Sequence, residues 1–187
     1  MGFMAAFQTD GAHNAADLGR QAADAIAALP QTTIAAIHGH CVGGGVVLAA
    51  ACDLRVAAQS ARFSLPELEL GIPLARGGME RLVALVGETL AVDLVLTCRP
   101  FDAQEAKTAG FLTRVVSDDA LDDEIKALGQ LIASRPAGVL RTTKSQLQAL
   151  RAGTFDPKTD AQALLNALQD PETLAAAQTY LTARLNR

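Results

Sequence analysis

The chain has 187 residues, half of them apolar, with 16 Lys and Arg against 20 Asp and Glu for a net charge of −4. That length supports one substantial core plus a helical appendage, whereas scattered cations, a single Tyr and no Trp offer neither a basic stripe nor a stacking platform for nucleic acid. Charged residues break every apolar run before membrane-spanning length and no basic-then-apolar leader follows Met1, so the chain reads as cytoplasmic with no membrane partner.

Met1 to Phe7 is a short apolar start, readable as a strand end or a helix start. After the polar stretch Asp10 to Asn14, apolar residues recur at helical spacing from Ala16 through Leu18, Ala22, Ala25 and Ile26 to Leu29, and Pro30 stops them. Thr32 to Asp53 is the pivot of the chain. The β-branched run Ile34 to Ile37, ending at His38-Gly39, predicts a buried strand, the stretch from there through Gly43, Gly44 and Gly45 a tight loop, and Gly45 to Cys52 a buried helix. Glycines there let a ligand approach the backbone, and the free N–H groups at a helix start favour negative charge in the loop. Such a loop suits a bound anion, or an oxygen that becomes anionic during a reaction.

Leu54 to Ala58 and Arg62 to Leu65 predict two short strands, the second running into Pro66, which biases Leu65 away from helix. Glu67 therefore stands at a strand exit. Gly77-Gly78 opens a helix reaching Gly87, Glu88 to Leu96 makes another, and Asp102 to Ala109 a third with Asp102 as N-cap and Glu105 at capping-box spacing. Phe111 to Val116 predicts a further strand. Strands alternating with helices through short links indicate an α/β core over residues 1–118. Residues 119–187 carry helices alone: Asp119 to Ser134, Ala137 to Leu150, Lys158 to Leu168 and Pro171 to Leu185. Amphipathic helices at a chain end point to an oligomerisation region.

Together these stretches resemble the crotonase superfamily of enoyl-CoA hydratases and isomerases. The resemblance is carried by IAAIHGHCVGGGVVLAAACDLRVAA, ARFSLPELELGI, GGMERLVALVG and DAQEAKTAGFLTRVV, in that order, and by the closing DPETLAAAQTYLTARL. It implies a crotonase-like spiral of ββα units with a C-terminal helical region, a coenzyme A thioester substrate with no separate cofactor, and homotrimers or dimers of trimers. Gly44 matches the glycine whose N–H forms half of the family's oxyanion hole. Glu67 matches one catalytic glutamate of the hydratases, and Val47 falls where those enzymes carry the other. Cys41, Val42, Gly43, Val47, Leu65, Pro66 and Leu70 are the residues expected to line the acyl site. Hydration calls for two positioned carboxylates, whereas shifting a double bond from the 3,4 to the 2,3 position needs one base, so a lone Glu67 fits a Δ3,Δ2-enoyl-CoA isomerase better. Hydratase or other thioester chemistry on the same scaffold is the alternative. The family's N-terminal strands, and the loop giving the second oxyanion N–H, belong ahead of Met1; the chain thus also reads as a truncated form or a catalytically inactive assembly subunit.

Rival sites are weaker. A dinucleotide fingerprint would begin at Gly43-x-Gly45, but Leu48 stands where its third glycine is needed. His38, His40 and Cys41 lack a second ligand cluster and zinc spacing, so no metal is expected. Cys41 has no assignable base to make it a nucleophile, and Cys41, Cys52 and Cys98 suit reduced thiols better than a disulfide. Asp53 and Arg81 read as structural, Glu69 as exposed, and Arg76 as a candidate contact for a coenzyme phosphate.

Overall fold

The apolar run predicted as the central strand is β1 (Ile34–Ile37), and it pairs in parallel with β3 (Leu54–Ala58), which in turn pairs with β6 (Arg114–Val116). This is seen in a computed structural model that describes the backbone of residues 12–185 and the side chains of 17–184; the reading of Met1 to Phe7 lies outside the described residues. A second sheet joins β2 (His40–Val42) to β4 (Arg62–Ser64) in parallel, and β4 to β5 (Phe101–Asp102) antiparallel. From β1 to β4, consecutive strands thus alternate between the two sheets. Each strand pair is followed by a helix: β1 and β2 by α2 (Gly44–Ala51), β3 and β4 by α3 (Gly78–Val86), with α1 (Ala12–Ala28) ahead of them. This repetition is the expected spiral of ββα units.

Two strands escaped the sequence reading, which had His38 to Val42 as a loop and began the helix of Asp102 to Ala109 without a strand before it. At three and two residues, β2 and β5 are too short to display an alternation. The predicted strand from Phe111 also shrinks to β6, because Phe111 and Leu112 point into the core while the Leu112 N–H bonds to the Ala106 carbonyl at 3.1 Å, closing α5 (Ala103–Thr108). Asp102 does cap α5, its side chain accepting from the Glu105 N–H at 2.8 Å. The reciprocal half of the capping box is not made; Glu105 instead pairs with Arg99 at 2.6 Å.

Chain contacts divide the protein into one unit running up to Leu29 and over Thr33–Ile125, and another comprising Pro30–Thr32 and everything from Lys126. The first unit's core holds Phe63 of β4 stacked on Phe101 of β5 at 5.2 Å and edge-on to Phe111 at 5.9 Å. Such aromatic pairs are favourable beyond the area they bury. α4 (Glu88–Thr97) contributes Ala91, Leu94 and Val95 to the same cluster. Arg55 is buried there as well. Its Nε donates to the Phe111 carbonyl and its Nη1 to that of Cys52 at 2.7 Å, so the charge is met by backbone oxygens. Asp53 Oδ2 accepts from the Thr33 N–H at 2.9 Å and its hydroxyl at 3.0 Å, fixing the entry to β1.

A 3₁₀ turn at Asp118–Ala120 leads into α6 (Leu121–Ala133), within which the division falls. In the second unit α7 (Ala137–Arg151), α8 (Thr159–Gln169) and α9 (Pro171–Leu185) pack on one another. Glu172 near the start of α9 accepts from the Ala137 N–H at 3.0 Å, and Gln146 donates to Asp160 at 3.1 Å. Leu164, Leu165 and Leu168 of α8 and Leu174, Tyr180 and Leu181 of α9 remain exposed. Among the described residues no helix is long and apolar enough to cross a membrane.

Candidate active site

The register of the second sheet builds the site. Because β2 and β4 run parallel with Val42 opposite Ser64, the residues just past each strand, Gly43 and the Leu65-Pro66-Glu67 turn, come side by side. The Gly43 N–H donates to the Ser64 carbonyl at 2.9 Å and extends the ladder by one rung. The turn is tied through the Glu67 carbonyl, which accepts from the N–H groups of Leu70 at 3.1 Å and Ile72 at 3.0 Å. These bonds fix the Glu67 backbone, and its side chain lies against the glycine loop. A Cβ placed on Gly43 would sit 2.7 Å from Glu67 Oε1. Gly43 has φ 52° and ψ −114°, a backbone that only glycine adopts readily.

Glu67 Oε2 is buried and has no hydrogen-bond partner among the described residues. Leaving a buried carboxylate oxygen unmatched costs roughly 1–3 kcal/mol or more, so the site holds a polar group whose partner is to be supplied. Beside it begins α2. Gly43 is its N-cap and provides no side-chain cap; its carbonyl accepts from the N–H groups of Val46 at 2.9 Å and Val47 at 3.3 Å, which leaves those of Gly44 and Gly45 without intrahelical acceptors. The Gly44 N–H has no acceptor among the described residues. An amide at a helix's positive end, next to a buried acid, can stabilise negative charge on an oxygen while the acid moves a proton.

The other expected site residues are distributed unevenly. Val47, 2 % exposed, packs with Ala23 of α1 and Ala51, and its Cγ2 would be 2.7 Å from a Cβ on Gly78. No second acid stands there. Leu65 lies in the core at 1 % exposure, Pro66 is half-buried, and Val42 and Leu70 are on the surface at 43 % and 66 %. Cys41 is buried, and burial pushes its thiol up to about 11, which keeps it protonated and unreactive near neutrality. With Ile37, Leu48 and Cys52 it borders a cavity of about 330 Å³ whose lining includes neither Gly44 nor Glu67. Cys41, Cys52 and Cys98 are all free thiols. No group of three or more potential metal ligands occurs among the described residues.

One contact was not legible from sequence. Arg76, read as a loop arginine, reaches the glycine loop, and a Cβ on Gly44 would lie 1.9 Å from its Nη1. Its φ of 64° is left-handed, which costs a non-glycine residue about 1–2 kcal/mol. The visible hint was the Gly77-Gly78 pair after it. Arg81 was expected to be structural and is so: it pairs with Asp24 at 2.5 Å and donates to the Arg76 carbonyl at 3.2 Å.

An acid facing a glycine-lined helix start, on a spiral of ββα units, is the layout of a crotonase-type protein. The chain belongs to the enoyl-CoA hydratase/isomerase family, whose sequence profile matches residues 6–173. It is 41 % identical over 119 residues to the probable enoyl-CoA hydratase echA8 of Mycobacterium bovis, and 36 % identical over 135 residues to the peroxisomal Delta(3,5)-Delta(2,4)-dienoyl-CoA isomerase of Arabidopsis thaliana. The matches take in 64 % and 72 % of this chain but 46 % and 49 % of those relatives, so the chain spans about half their length. The crystal structure of an enoyl-CoA hydratase from Bacillus anthracis superposes with a TM-score of 0.86 at 31 % identity, covering 96 % of this chain and 70 % of that one.

Proposed function

We propose that this protein is an enzyme acting on acyl-CoA thioesters, and that its reaction is Δ3,Δ2-enoyl-CoA isomerisation. Glu67 takes the proton from C2 of a 3-enoyl thioester, and the electrons of that C–H bond delocalise onto the thioester oxygen, whose charge the Gly44 N–H stabilises. Collapse of that charge forms the C2–C3 double bond while C4 takes the proton back from Glu67. Nothing is oxidised or reduced, and no cofactor is needed beyond the coenzyme A of the substrate. The observation that carries this reading is the buried, unpartnered Glu67 Oε2 beside the glycine loop, with apolar Val47 where a hydratase would place its second acid. The exposed leucines of α8 and α9 support assembly as a trimer or dimer of trimers, and the free thiols suit the cytoplasm.

Assay of the full chain on 3-enoyl and 2-enoyl thioesters tests the reading. Conversion of the 3-enoyl substrate is expected, with kcat/KM lowered about a hundredfold or more by Glu67→Gln. Hydration of the 2-enoyl substrate without isomerisation would instead make this a hydratase, the activity named for several relatives. No turnover alone, with mixed oligomers on adding an intact homologue, would make it an assembly subunit.

A further inference from the structure

Arg76 is held in an unusual place for a cation. Its turn is pinned from below, since Arg81 donates to its carbonyl and is itself held by Asp24. From that turn its side chain passes between two helices, each bearing glycine at the point of passage: a Cβ on Gly19 of α1 would lie 2.5 Å from Arg76 Cδ and Nε, and one on Gly44 of α2 1.9 Å from Nη1. Of the acids nearby, Asp24 is engaged by Arg20 and Arg81, and Glu80 lies 3.7 Å from Arg81. Among the described residues the Arg76 guanidinium makes no ion pair. It therefore stands against the residue proposed to hold the thioester oxygen, one position along from the glycine that touches Glu67.

We propose that Arg76 is a specificity-determining residue that takes a carboxylate on the acyl chain of the substrate, so that the site prefers dicarboxylic enoyl thioesters to neutral ones. This rests on the acyl-CoA reading and deepens it. A guanidinium fork matches a carboxylate in two parallel hydrogen bonds and strengthens as water is excluded. Coenzyme phosphates lie a whole pantetheine arm away from the thioester, whereas Arg76 sits at the thioester end. The left-handed backbone at Arg76 is the kind of local strain that persists at ligand-holding positions.

Calorimetric titration of the full chain with glutaryl-CoA, pentanoyl-CoA and free coenzyme A tests this, because the two acyl groups share a length and differ in the terminal carboxylate. Glutaryl-CoA is expected to bind about tenfold tighter than pentanoyl-CoA. Arg76→Gln and Arg76→Gly should both bring that ratio close to one; the glycine variant also relieves the left-handed backbone and so guards against misfolding. A ratio near one in the unmodified protein, or one that survives both substitutions, would overturn the proposal. So would an equal weakening of all three ligands, which would assign Arg76 to a coenzyme phosphate. Failure of all three to bind would instead remove the acyl-CoA reading and this proposal together.

Discussion

At Gly43 the backbone conformation and the space for the acid are one constraint. Its φ of 52° with ψ −114° excludes side chains, and any Cβ would meet Glu67 Oε1. Gly43→Ala should therefore push the carboxylate out of the loop as well as strain the turn, lowering both turnover and stability, the latter by about 1–3 kcal/mol. Paired kinetic and denaturant measurements check this; an alanine variant with full activity would show that the acid does not work from its present position. The residues of this pair were legible in sequence, because a glycine run after a β-branched strand and an acid after a proline-ended one are local patterns. Arg76 was not. Its place depends on glycines 57 and 32 positions earlier, Gly19 and Gly44, and no local pattern joins those three.

Elements were legible in proportion to their length. The helices announced themselves by period and by caps, and α5 starts where Asp102 predicts. Removing that cap with Asp102→Ala leaves the Glu105 N–H unmatched and should cost about 0.5–2 kcal/mol. A thermal melt would read this as a drop of a few degrees, with no change in substrate binding, since Asp102 lies at the β5 end of its sheet, away from the glycine loop. β2 and β5 stayed hidden because three or two residues carry no period, and Phe111-Leu112 passed for strand because a continuous apolar pair looks alike in any buried conformation. Their pairing is a tertiary fact: β5 exists because Phe101 stacks on Phe63 of β4.

At the scale of the whole molecule, the helices from α7 onward leave more apolar surface than a solitary chain tolerates well, with Leu164 and Leu168 one turn apart on α8 at 61 % and 53 % exposure. If the proposed trimer or dimer of trimers forms through these helices, replacing both with Gln should shift the mass found by light scattering toward that of one chain. An unchanged mass would place the assembly contact elsewhere. The two-sheet arrangement has its own corollary. Since the acid and its glycine partner are each the first residue or turn beyond hydrogen-bonded strands, slippage of β4 by a single rung against β2 would turn alternate side chains to the opposite face. Any chemistry that needs both groups would switch rather than fade in such a scaffold: the ladder is either seated, with Glu67 against the glycine loop, or shifted, with the two no longer able to meet the same molecule.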